Sequence, residues 1–229
     1  MIRSCPNQFG GQERRNLGGY ILSRLSVKLF GWVAKVAEGS AACTIRGMSS
    51  GRGIVFHPDP ILRQKARPVA KIDGSIVELV RDMHRLALEY EGIGLAAPQV
   101  GASLRIFVTC PLYGEPPRVF INPKLVLTGE IVGDEEGCLS LPDIRAEIVR
   151  PPQAKITALD LEGTEFTLEQ SGLWARVWQH EYDHLEGIMI IDRMRPLDKL
   201  ANRRALRDLE RGPSRSTHHG LPHLRDKDL

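Results

Sequence analysis

The run Gln179-His180-Glu181-Tyr182-Asp183-His184 holds two histidines four positions apart. On an α-helix that spacing stacks both imidazoles on one face, one turn apart. They can then grip one metal ion, with Glu181 beside it to take a proton from bound water. The surrounding residues favour a helix from about Leu173 to Leu185, stopped at Gly187. Trp174 and Trp178 on this helix read as core side chains. Arg176 lies one turn before His180 on the same side, where its stem can line a pocket while its head reaches solvent.

Two imidazoles need a third donor. Zincin peptidases find theirs downstream, but here the downstream histidines are His218, His219 and His223, in a polar tail without metzincin spacing. Upstream, Glu136-Gly137-Cys138-Leu139-Ser140 offers a thiolate beside a glycine, which lets the strand approach the helix closely. Two imidazoles and one thiolate leave a position open for water, the pattern of a catalytic site. Farther upstream, Gly92-Ile93-Gly94-Leu95-Ala96-Ala97-Pro98-Gln99 follows a helix rather than a strand, so it is not a dinucleotide fingerprint. Its glycines allow backbone to approach a ligand, and Gln99 offers an amide donor.

The remaining pattern is mixed. His57-Pro-Asp-Pro-Ile-Leu-Arg is a turn-prone opening to the folded region. Ile76, Leu79, Val80, Met83 and Ala87 recur at helical intervals over Ser75 to Glu91, with Ser75 and Glu78 at capping-box spacing. Strands are expected around Leu104–Val108, Arg118–Asn122, Leu125–Val132, Ile144–Val149 and Lys155–Leu159, with a turn at Gly163. Ile188–Ile191 reads as a closing strand and Leu197–Glu210 as a third helix, basic on its exposed side. The sum is an α+β domain of short antiparallel strands around a central metal-binding helix.

Composition sets the boundaries. The 229 residues are 42% hydrophobic and 26% charged with net charge +3, enough for one domain plus extensions and uninformative about nucleic acid. None of Cys5, Cys43, Cys110 and Cys138 forms a C-x-x-C pair, which fits free thiols in a reducing compartment. No apolar run approaches the ~20 residues of a membrane span. Residues 1–47 are basic and acid-poor, with an apolar-basic stretch from Tyr20 to Val33. They read as a transit peptide, a surface amphipathic helix or an extension ahead of a true start at Met48. Residues 48–211 are expected to be the catalytic domain and 212–229 a flexible polar tail.

Taken in order, G-h-G-h-A-A-x-Q, E-G-C-h-S and Q-H-E-h-D-H resemble the three signature motifs of peptide deformylases, over roughly Ile54 to Met194. The resemblance implies a deformylase fold and hydrolysis of the N-formyl group from formylmethionyl nascent peptides. It implies metal ligation by Cys138, His180 and His184, with iron(II) as the native ion and zinc, nickel or cobalt as substitutes. Glu181 would be the general base and acid, and Gln99 with the Leu139 N–H would stabilise the oxyanion. Gly94 would bind the substrate backbone, Ile93 would border the methionine pocket, and Glu136 with Arg145 would brace the site. Many bacterial members carry an apolar residue at the place of Arg176, which puts the side-chain preference in question. A zincin-type metallopeptidase is the rival enzyme. A ribosome- or RNA-binding module using Lys199, Arg203, Arg204, Arg207 and Arg211 is the non-enzyme rival, although Asp208 and Glu210 interrupt that face. The same helix would allow transient ribosome contact. The expected location is the cytoplasm, or an organelle if the leader is a transit peptide.

Overall fold

A computed structural model describes residues 51–112 and 114–211. The leader, its Tyr20–Val33 stretch and the tail lie outside the described residues. The first long helix, α1 (Gly74–Glu89), buries Ile76, Leu79, Val80, Met83 and Ala87, as their spacing requires. Its cap is Asp73 rather than Ser75. The Asp73 carboxylate accepts from Ser75 N at 3.0 Å, so Ser75 lies inside the helix.

Beyond α1 the chain builds a five-stranded antiparallel sheet from β1 (Gly94–Ala96), β2 (Ile106–Thr109), β3 (Arg118–Thr128), β6 (Gln153–Leu159) and β7 (Glu165–Ser171), in the order β1-β2-β3-β6-β7. A separate hairpin pairs β4 (Val132–Cys138) with β5 (Leu141–Arg150). The central strands are covered on both faces. Ile106, Val108, Val119 and Ile121 join the core under α1, while Phe107 and Phe120 point the other way. There they meet Ala175, Trp178 and Leu185 of α2 (Gly172–Leu185), with Phe120 and Trp178 rings 5.7 Å apart. A strand buried on both faces loses polar alternation, and all four residues of β2 are buried.

Three expectations are corrected. Arg118–Asn122 and Leu125–Val132 are not two strands: β3 runs through, irregular where Asn122 takes φ 51°. The Asn122 amide offsets the interrupted ladder by bonding Val69 N and Val69 O at 2.8 and 2.9 Å. Ile188–Ile191 is no strand. Asp192 accepts from Met189 N at 2.8 Å and caps a short helix, α3 (Ile190–Arg193). The expected third helix is two, α4 (Pro196–Ala201) and α5 (Arg203–Arg211), divided at Asn202, which donates to Arg145 O at 2.9 Å. Gly187 does end the region after α2, at φ 74°, and a Cβ there would lie 2.6 Å from Arg63 O.

Candidate metal centre

Helix α2 presents His180 and His184 side by side, ring centroids 5.1 Å apart. The hairpin brings Cys138, the last residue of β4, to the same point, where Cys138 Sγ lies 3.3 Å from His184 Nε2. One ligand atom from each of the three lies within 4.8 Å of the others, and among the described residues this is the cluster able to hold a metal. Donors around a tetrahedral ion sit about 3.5 Å apart given bond lengths of about 2.0–2.3 Å, so the spacing suits a single ion. The downstream histidines His218, His219 and His223 lie outside the described residues.

The outer nitrogen of His180 is occupied. Its Nδ1 lies 3.0 Å from Glu136 Oε2, which turns Nε2 toward the cluster. Burial opposes a charge on His180, but hydrogen bonds to Cys138 and Glu136 hold its pKa well above the ordinary value. His184 goes the other way, lowered by burial and then by the charge on His180.

Glu181 stands beside the cluster and is not part of it. Its Oε2 is buried without a hydrogen-bond partner, and burial pushes the carboxyl up to about 7. The carboxylate fills the space that a side chain at Gly94 would take, since a Cβ there would lie 2.6 Å from Glu181 Oε1. Burial, and then the Glu181 charge, pushes the Cys110 thiol up to about 12, the setting of an inert core thiol. On the opposite side Gln99 is locked in place. Ala96 N donates to its Oε1 at 2.8 Å, leaving Nε2 to point at Cys138 Sγ (3.5 Å) and Ser140 Oγ (3.3 Å).

The cluster opens into a cleft of about 690 Å³. Ile93, Gly94, Gln99, Leu139, His180 and Glu181 all line it, so the structure brings these expected site residues together. Leu139 also packs against Gly92, where a Cβ would come within 2.9 Å of its Cδ1.

Glu136 and Arg145, expected to brace the site together, stand in different surroundings: Glu136 is buried and Arg145 is not. Arg145 lies at the cleft rim, 70% exposed, 3.6 Å from Glu135. The brace is Arg150, whose Nε and Nη2 donate to Glu136 at 2.6 and 3.0 Å while Nη1 donates to Asp183 at 2.8 Å. Burial opposes the Glu136 charge, yet hydrogen bonds from His180 and Arg150 hold its pKa below the usual carboxylate range. Arg193 clamps Asp183 from outside. Sequence reasoning missed Arg150, Asp183 and Arg193. A signal for Arg150 was present in the phase of β5: Ile144, Ala146, Ile148 and Arg150 face inward, and Arg145 is out of step. Arg176 is the second surprise. Its head does not reach solvent but is buried, donating to Glu136 Oε1 at 2.8 Å.

A sequence model described as Polypeptide deformylase matches residues 52–200. The chain belongs to the peptide deformylase family. Peptide deformylase 1 of Clostridium perfringens is 48% identical over 141 residues, covering 62% of this chain and 96% of that one. The chloroplastic/mitochondrial peptide deformylase 1B of Arabidopsis thaliana is 43% identical over 176 residues, covering 74% and 63%. Among solved structures, a plant peptide deformylase superposes with TM-score 0.67 at 41% identity, over 72% of this chain and 92% of that one. The Plasmodium falciparum peptide deformylase, solved with an inhibitor, gives 0.64 at 39%, over 69% and 99%. The α+β deformylase fold, with its strands arranged around α2, is thereby established for this chain. Deformylases are metal-dependent hydrolases, and the Cys138–His180–His184 cluster is where the donor chemistry of this chain fits a divalent ion.

Proposed function

We propose that the chain removes the N-formyl group from formylmethionyl nascent peptides at the Cys138–His180–His184 cluster, releasing formate and a free N-terminus. Cys138, His180 and His184 would hold the metal ion. Two imidazoles and a thiolate accept iron(II), zinc, cobalt or nickel, and iron(II) is our choice for the native ion. When bound, the ion supplies Lewis acidity that makes water nucleophilic near neutral pH.

The protein's own groups do the rest. Glu181, with its unpartnered Oε2 and a pKa pushed up to about 7, takes the proton of the attacking water and passes it to the departing amine. Gln99 Nε2 and the Leu139 N–H donate to the oxyanion, a role in which one donor is worth about 3 kcal/mol. Gly94 orients the substrate backbone, while Ile93 with Leu139, Leu141, Ile144 and Val177 gives the cleft an apolar wall suited to methionine. Arg145, which lines the cleft, would meet the peptide beyond that residue.

The observation that carries this reading is the juxtaposition of a three-donor cluster with a buried, unpartnered carboxylate that is not one of the donors. Its test is formate release from formyl-Met peptides by protein purified without oxygen, with metal content measured on the same sample. Cleavage of internal peptide bonds instead would favour the zincin-type reading.

Residues 48–211 would form the catalytic domain, with 1–47 a leader or extension and 212–229 a tail. The basic side chains Lys199, Arg203, Arg204, Arg207 and Arg211 are exposed and suited to transient ribosome contact. No described helix is long and apolar enough to cross a membrane. The cytoplasm is the proposed location, or an organelle if the leader is a transit peptide, and the Arabidopsis relative is named for chloroplast and mitochondrion.

A further inference from the structure

The three donors come from two elements that are far apart in sequence, α2 and the β4–β5 hairpin. The geometry of the cluster therefore depends on what ties the hairpin to the helix. Arg176 spans both strands at once. From α2 its Nη1 donates to Glu136 Oε1 on β4 and to Ile148 O on β5, both at 2.8 Å. Its Nη2 donates to Val132 O, at the start of β4, at 3.0 Å. Glu136 in turn holds His180 Nδ1. The side chain is buried, so these partners are not exchanged for water.

We infer that Arg176 is a positioning residue: it staples the β4–β5 hairpin to α2, and so holds Cys138 and His180 in the geometry that retains the metal. A guanidinium suits the task because its planar fork reaches three acceptors in fixed directions, whereas a lysine offers one charge centre. Arg176 makes this contact without touching the three donors, so it acts through Glu136 and the hairpin backbone. The inference rests on the proposed metal site.

The test compares wild type with R176M, R176K and C138A, using Zn2+ alone in competition with a chromophoric chelator. R176M should raise the zinc dissociation constant about tenfold, the scale seen when a partner of a metal ligand is removed. R176K should fall between. The rise in melting temperature on adding zinc should shrink in parallel, because that rise follows affinity. With Co2+, the thiolate absorption band should weaken or shift in R176M. A dissociation constant equal to wild type in R176M and R176K overturns the inference. So does a lower melting temperature without zinc accompanied by an undiminished rise on adding it, which is the mark of a merely structural residue. If R176M does not fold, R176K carries the same comparison alone, and an unchanged constant overturns the inference. C138A separates the two readings. If C138A still holds stoichiometric zinc, the metal site itself is wrong; if only the Arg176 variants match wild type, the site stands and the staple fails.

Discussion

Helix α2 and the β4–β5 hairpin both deliver donors to one point, the helix two and the hairpin one. In the helix the work is local. Four residues make one turn, so any sequence that folds as α2 places His180 and His184 together. In the hairpin nothing local suffices. Cys138 arrives only because β5 doubles back, with an irregular register at Gly137–Cys138, and because buried arginines fasten the hairpin to the helix. The helical half of a site is therefore robust and easily read, while the hairpin half depends on a charge network that ties the motif residues Glu136 and Asp183 to Arg150 and Arg176 outside the motifs.

The sharpest way to break this comparison is to remove the hairpin's donor. Cys138→Ala should lose metal and activity together, since two imidazoles alone bind weakly. Cys110→Ala should keep its metal, controlling for general thiol effects. Stoichiometric metal in Cys138→Ala would show that the helix suffices.

A smaller effect is expected from the network. Arg150→Met leaves Glu136 and Asp183 buried with fewer partners, and should lower unfolding free energy by about 3 kcal/mol. Arg145→Met removes only an exposed pair and should leave stability unmeasurably changed. Urea titration of both variants decides which arginine braces the hairpin, and equal losses would contradict the assignment.

The smallest effect is predicted for the leader. The family match begins at residue 52, and the described core involves no residue before Ile54. A chain of residues 48–229 should match the full chain in kcat/KM and melting temperature. A large loss of both would make the preceding residues part of the fold.

These differences also mark what the sequence could disclose. The histidine spacing and the thiolate chemistry pointed to the three candidate donors and Glu181, while the role of Gln99 rested on the family resemblance. α1 and α2 were legible through their apolar periodicity. β4 was not, because Val132-Gly-Asp-Glu-Glu-Gly-Cys138 is mostly exposed and carries little strand pattern. Arg176 read as a solvent-reaching helix charge because its partners Val132, Glu136 and Ile148 are distant in sequence. Arg145 came from the family resemblance and Arg150 was missed, although the two-residue phase of β5 pointed inward at Arg150. Local periodicity can show that a side chain faces inward, as at Arg150, but it does not name the distant partner of a tertiary ion pair.

The central claim is that metal holding and proton handling belong to different residues of one helix turn, His180 and His184 for the first and Glu181 for the second. The direct measurement is Glu181→Ala, with metal content and formate release determined on one oxygen-free sample. The account predicts metal bound as in wild type and turnover reduced by at least about a hundredfold, the lower range for loss of a general acid–base. Turnover within a few-fold of wild type, with the metal in place, would contradict it.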